Sequence, residues 1–412
     1  MNVRDRAEAA ERACAEAFAA IDRVALVNTE RVLDVFRARQ VAARHFAPTT
    51  GYGYGDVGRD TLEAVYADIF GTEAAIVRPQ IASGTHALSL CLFGLLLPGD
   101  ELLSVTGKPY DTMDEVIGIT QANAGSLREM GVRYAQVEMT ASGLDLQAVE
   151  NALKPETKVV YVQRSRGYAA RPTLFPKDLA PLAALLKAKL PGAYLVVDNC
   201  YGEFTREAEP THFGAEVCVG SLIKNPGGGL APTGGYICGS RRAIDRIACR
   251  LTAPSVGLEI GSYAAGYQPF YQGLFLAPHV VAQALKTAVL AAALFEGLGL
   301  RTSPGVNEAR SDVIQALELG TAERVVAFCR GIQAASPVDS MAAPEPWDMP
   351  GYQEPVIMAA GTFVSGASIE LSADAPLRKP YTVYLQGGLT YEHGKIALIR
   401  TLEMMEKQGY IV

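Results

Sequence analysis

Tyr194-Leu195-Val196-Val197-Asp198 is a run of four residues with apolar bodies closed by a carboxylate. Nothing in it alternates between polar and apolar, so it reads as a strand buried on both faces. Similar runs lie on either side. Lys158 to Val162, Glu101 to Val105 and Ala74 to Val77 precede it; Glu216 to Gly220 and Gly235 to Cys238 follow. Segments of helical periodicity fill the intervals, among them Arg59 to Phe70 and His86 to Leu97. Doubly buried strands separated by helices predict an α/β domain built on a mainly parallel sheet.

The chain has 412 residues, enough for two domains. Residues 1–48 read as an N-terminal helical segment, 49–280 as the large domain and 281–412 as a smaller α+β domain. The last of these opens with an Ala/Leu-rich helix from Val281 to Leu298 and closes with one from Tyr391 to Gln408. Arg324 to Arg330 and Ile369 to Ser372 are expected to be strands, and the Pro-rich piece from Ala342 to Pro355 a loop. A net charge of −7 argues against nucleic acid and anionic membranes as partners. Acidic and basic residues mix from Arg4 to Glu8, so no targeting segment is expected. The longest apolar run, Ala87 to Leu97, is too short to cross a bilayer. Seven cysteines without a C-x-x-C pair predict neither zinc nor a disulfide framework, and point to a reducing cytoplasm.

Four features of the large domain belong together chemically. Ser83-Gly84-Thr85 opens a helix, where unpaired N–H groups and small residues admit a phosphate; an ordinary helix cap reads the same way. Tyr110 follows a strand and is placed to stack on a flat heteroaromatic ring, or to be a half-buried loop tyrosine. Asp198 ends its strand where α/β folds put ligands, and could pair with a pyridine nitrogen or cap the next turn. Lys224 ends an apolar segment and precedes Asn225-Pro226-Gly227-Gly228-Gly229. An ammonium there is costly, and a Schiff base removes it. The glycines would let backbone approach a ligand. Phosphate cradle, ring stack, nitrogen partner and Schiff-base lysine together describe a site for pyridoxal 5′-phosphate (PLP). Gly53 to Gly58 also fits G-x-G-x-x-G, but no strand precedes it, so no dinucleotide site is expected. Lys108 is the rival for the lysine role. His86 reads as a first-turn residue of the phosphate helix, and Gln163, Ser165 and Arg166 as residues near the pocket.

Longer strings carry a family resemblance. Gly51 to Glu63 (GYGYGDVGRDTLE), Arg78 to Ala87 (RPQIASGTHA), Gly107 to Thr112 (GKPYDT) and Gln386 to His393 (QGGLTYEH) are similar to the Cys/Met metabolism group of fold type I PLP enzymes. The closer resemblance is to its methionine γ-lyase-like, aluminium resistance branch, over roughly residues 20–411. The resemblance implies an aspartate aminotransferase-like fold: a mainly parallel seven-stranded sheet plus a smaller C-terminal domain. It implies that Gly84 and Thr85, with Ser83 and Ser221, hold the phosphate. It also implies that Tyr110 stacks on the ring, Asp198 pairs with its nitrogen and Lys224 forms the internal aldimine. Tyr54 and Arg59 become the candidates to reach the phosphate of a neighbouring subunit in a homo-oligomer, a dimer or tetramer with shared sites. Arg378 becomes the candidate clamp for a substrate carboxylate. Ile223 stands where the group has a small hydroxyl residue.

The activity implied is carbon–sulfur bond cleavage in a small sulfur-containing amino acid, by α,β- or α,γ-elimination, with Lys224 moving the α-proton and Tyr110 as general acid. Transamination, aldol cleavage and a non-catalytic role in metal tolerance remain as alternatives.

Overall fold

The computed structural model describes residues 2–169, 171–349 and 354–411. Twelve strands form two sheets among these residues. The larger contains β1 (Ala74–Arg78), β2 (Glu101–Ser104), β3 (Arg133–Gln136), β4 (Thr157–Gln163), β5 (Tyr194–Asp198), β6 (Val217–Ser221) and β7 (Gly235–Gly239). Its order is β1-β7-β6-β5-β4-β2-β3, and every strand but β7 runs parallel. The strands from β4 to β7 are buried almost throughout, as their unalternating composition predicts. Edge strand β3 is polar and half exposed, which is why it escapes a search for apolar runs.

Helices cover the sheet. α1 (Val3–Ala13) and α2 (Ala15–Ala38) come first, then α3 (Val57–Ile69), α4 (Gly84–Leu95), α5 (Asp111–Ile117), α6 (Leu146–Ala152), α7 (Ala180–Lys189) and α8 (Arg241–Leu251). α9 (Gln268–Gly297) is the longest. Its first half, from Phe270 to Leu285, lies in the core under the large sheet. Its last turns, Leu290 to Phe295, join the core of the second sheet. The boundary expected at 280/281 therefore falls inside one helix that both cores share. The N-terminal segment is divided in the same way: Val3 and Ala7 pack in the second core and Val32 in the first. α9 is long and apolar enough to span a bilayer, but 72% of that stretch is buried within the protein.

The smaller sheet is antiparallel, in the order β10-β11-β12-β9-β8, from β8 (Thr302–Ser303), β9 (Gln315–Glu318), β10 (Val356–Ala359), β11 (Ser372–Pro376) and β12 (Thr382–Gln386). α10 (Ala322–Ala334) and α11 (Tyr391–Lys407) cover it. Two expectations are corrected here. Arg324 to Arg330 is not a strand but part of α10. Thr321 caps that helix by accepting the Arg324 N–H, and Val325, Phe328, Cys329 and Ile332 recur at helical spacing. The strand expected at Ile369 to Ser372 begins only at Ser372. Of the loop expected over 342–355, residues 350–353 lie outside the described residues.

Candidate active site

Parallel strands that start in register also end together, so residues closing β4, β5 and β6 meet at one sheet edge. Gln163 pairs with Asp198, and Asp198 with Val219, two residues before the end of β6. The N-terminus of α4 faces the same edge. The result is a cavity of about 220 Å³ lined by Ser83, Gly84, Thr85, Tyr110, Gln163, Ser165, Asp198, Ser221 and Lys224. Cys200, Tyr201, Thr112, Met113, Ile223 and Gly366 complete much of its wall.

Each wall has a local cause. Ser83 caps α4 by accepting the His86 N–H at 3.1 Å, which leaves the N–H groups of Gly84 and Thr85 in the unpaired first turn. A Cβ on Gly84 would come within 3.4 Å of Cys200 Sγ and Ser221 Cβ and narrow the cradle. Ser221 Oγ is buried there without a hydrogen-bond partner among the described residues. Tyr110 is fixed through its backbone N–H, which donates to Gln163 Oε1 at 2.7 Å, and its ring lies 5.8 Å from that of Tyr168.

Asp198 is buried. Its Oδ1 accepts the Cys200 N–H at 3.1 Å and its Oδ2 the Tyr161 hydroxyl at 3.3 Å. It has no ion-pair partner among the described residues, and burial pushes its carboxyl above the ordinary range. Lys224 is half-buried. Its Nζ donates to Ser368 Oγ at 3.2 Å and lies 3.8 Å from the centre of the Tyr201 ring. Burial favours the neutral amine, but Tyr201, Cys200 and Glu203 outweigh it and hold the ammonium above the ordinary lysine range.

The glycines after Lys224 serve the fold rather than the cavity. Gly228 takes φ +53°, and a Cβ there would overlap the Gly273 carbonyl of α9; one on Gly273 would overlap the Gly227 carbonyl. Asn225 ties this loop to the turn after β5 by donating to the Glu203 carbonyl at 2.9 Å.

Other expected site residues lie elsewhere in this chain. Arg59 is 2% exposed and bonds to Asp60 and to the carbonyls of Gly53, Gly261 and Glu259. Tyr54 is 68% exposed beside Tyr52. Arg378 lines an adjoining cleft of about 480 Å³ with Lys108 and Tyr168, and pairs with Glu354 at 3.4 Å. Lys108 is engaged by Asp114. His86 Nδ1 accepts the Ala82 N–H, and Arg166 bonds to Ser303 and the Arg171 carbonyl. Sequence reasoning missed Tyr201, Cys200 and Ser368. Cys200 and Tyr201 lie two and three residues past Asp198, and that closeness was the available signal. Ser368 gave none, being 144 residues from Lys224.

The chain matches the methionine gamma-lyase family over residues 3–406. It belongs to that family. It is 51% identical to the uncharacterized protein YnbB of Bacillus subtilis over 94% of this chain and 93% of that one. A carbon-sulfur lyase involved in aluminum resistance from Clostridium novyi is 45% identical, covers 98% of this chain and 96% of its own, and superposes with a TM-score of 0.94. The L-methionine gamma-lyase of Pseudomonas putida is 33% identical over 48% of this chain and 45% of that enzyme. The fold is that of the fold type I PLP enzymes, and the cofactor of this family member is PLP. The cavity fits it. Among the described residues, an unpartnered buried hydroxyl and two free helix-terminal N–H groups suit a phosphate, and a buried carboxylate without a cation suits a ring nitrogen.

Proposed function

We propose that this protein is a carbon–sulfur lyase acting on a small sulfur-containing amino acid, with Lys224 as its cofactor lysine. The observation that carries the reading is the convergence of the Lys224 amine, the Asp198 carboxylate and the Ser221 hydroxyl on one cavity at the mouth of a helix. Family membership and the Clostridium novyi lyase support it.

In this reading Ser83, Gly84, Thr85 and Ser221 bind the phosphate and Tyr110 lies against the ring. When bound through Lys224, PLP supplies a flat electron-withdrawing ring that stabilises negative charge at the substrate's α-carbon. Asp198 keeps a proton on the ring nitrogen. Lys224, once its nitrogen is released, takes the proton from the α-carbon and returns it. Tyr110 gives a proton to the sulfur as the carbon–sulfur bond breaks, the electron pair leaving with the thiolate. Water then converts the unsaturated amine to ammonia and a 2-oxo acid. Arg378, at the rim of the adjoining cleft, receives a substrate carboxylate. The protein acts as a homo-oligomer in which exposed Tyr54 reaches a neighbouring site; Arg59, already occupied within its own chain, does not.

A panel of sulfur amino acids, assayed for thiol, ammonia and 2-oxo acid, tests the proposal. Release of all three, lost in Lys224→Ala, is expected. Accumulation of pyridoxamine phosphate with keto acid would replace it by transamination, aldehyde release by aldol cleavage, and no turnover across the panel by a non-catalytic role.

A further inference from the structure

The turn after β5 holds two aromatic residues in the left-handed region, Tyr201 at φ +72° and Phe204 at φ +60°. Bulky side chains avoid that region, and such outliers persist where the surroundings enforce them. Gly202, which could adopt it freely, does not; a Cβ at that position would press on the Arg164 guanidinium. The surroundings of Tyr201 do enforce it. Its carbonyl accepts the Val313 N–H at 3.2 Å, the Gly202 N–H closes on Asn199 at 2.9 Å, and its ring packs with Ile314, Ala316 and Tyr384. The strained backbone delivers the ring into the cavity, with Lys224 Nζ 3.8 Å from its centre.

We propose that Tyr201 is a positioning residue for Lys224: its ring face lies under the lysine nitrogen, restricts it to the cavity and favours its protonated state. This rests on the reading of Lys224 as the cofactor lysine. A cation over a ring face is stabilised by the ring quadrupole, more strongly where water is excluded. Among the described residues no carboxylate lies within ion-pair distance of Lys224; its Nζ donates to the neutral Ser368 hydroxyl and also meets the Tyr201 side chain. The titratable groups facing it are Asp198, Cys200, Tyr201 and Glu203 from β5 and its turn, and Asp374 from β11. Tyr201 is thus the residue whose side chain lies against the nitrogen and favours charge on it.

The test uses the holoenzyme and the position of its visible absorption band, which reports whether the nitrogen of Lys224 is protonated. The band is followed against pH in the wild type, Tyr201→Phe, Tyr201→Leu and Tyr201→Gly. Phe keeps the ring face and loses only the hydroxyl, so its transition should fall by clearly less than that of Leu. Leu and Gly remove the face, and their transitions should fall by roughly half to one and a half pH units. Gly tolerates φ +72°, and so guards against a Leu variant that fails to fold. Unshifted transitions in Leu and Gly, or a Phe variant that shifts as far as Leu, would overturn the proposal. A band that survives in Lys224→Ala would instead refute the reading of Lys224, a result that the same titration separates.

Discussion

Asp198→Asn separates what the cofactor needs from what the fold tolerates. Asn has the size of Asp and still accepts the Cys200 N–H through Oδ1; what it removes is the charge and the Oδ2 facing Tyr161. In the ligand-free protein that charge is a burden. It is buried, has no cation beside it among the described residues, and its pKa is raised by burial. A carboxyl with a raised folded pKa contributes stability below the ordinary Asp range, and that contribution is lost as pH rises through the folded value. Asn carries no such dependence. The ligand-free variant should therefore be as stable as the wild type in acid and more stable at neutral and alkaline pH. With PLP bound the sign reverses. A hydrogen bond to a charged partner contributes about 1.5–3 kcal/mol, so its loss weakens cofactor affinity roughly 10- to 150-fold. Melting temperatures of the ligand-free proteins across pH, with titration of the visible band by PLP, measure both halves. A ligand-free variant several degrees less stable than the wild type, with a Kd for PLP within about threefold, would refute the reasoning. Asp198 would then be only the cap of the Cys200 turn.

Three further substitutions probe the same region. Ser221→Ala removes a hydroxyl that has no hydrogen-bond partner among the described residues, so melting should hardly change while PLP affinity falls about tenfold or more; a large drop in melting with unchanged affinity would contradict this. Gly273→Ala forces a methyl against the Gly227 carbonyl and should cost about 1–3 kcal/mol, seen as a lower urea midpoint, while the same change at open Gly297 should not approach that loss. Glu203 is buried with Oε2 unpartnered among the described residues, and burial pushes its carboxyl from 4.5 up to about 8. Its contribution is present below pH 4.5 and lost as pH rises through about 8. Glu203→Gln should therefore gain on the wild type across that window, by roughly 5 kcal/mol in all, and no further above it. Parallel pH–stability curves for the two proteins would exclude the effect.

The large sheet was legible because its inner strands are covered by helices on both faces. Burial on both faces writes a continuous apolar run, and a parallel sheet turns the end of each run into a point on one edge. Asp198 could be placed at that edge for that reason, while Ser221 came to the site only through the family resemblance. The smaller sheet writes such a run only at β10, Val356 to Ala359. Gln315, Asp374 and Gln386 are polar strand residues that are nonetheless buried, each held by side-chain or backbone partners that only the fold supplies. α10 was misread because Val325, Val326 and Phe328 favour strands locally, whereas the Thr321 cap and the core beneath decide for helix.

What could not be read from the sequence is how the lysine is held. Its loop is pinned to α9 by backbone contact at Gly228 and Gly273, and to the turn after β5 by Asn225. That turn is pinned in turn by Val313, on the approach to β9. The amine itself meets Ser368, which precedes β11. The nitrogen on which the chemistry depends is thus positioned from both sheets at once, through a tyrosine whose backbone conformation no propensity favours. A small displacement of one sheet against the other would move Ser368 and Val313 relative to β5 and β6. The lysine should sense that displacement before the phosphate cradle does, because the cradle is built within the large domain alone.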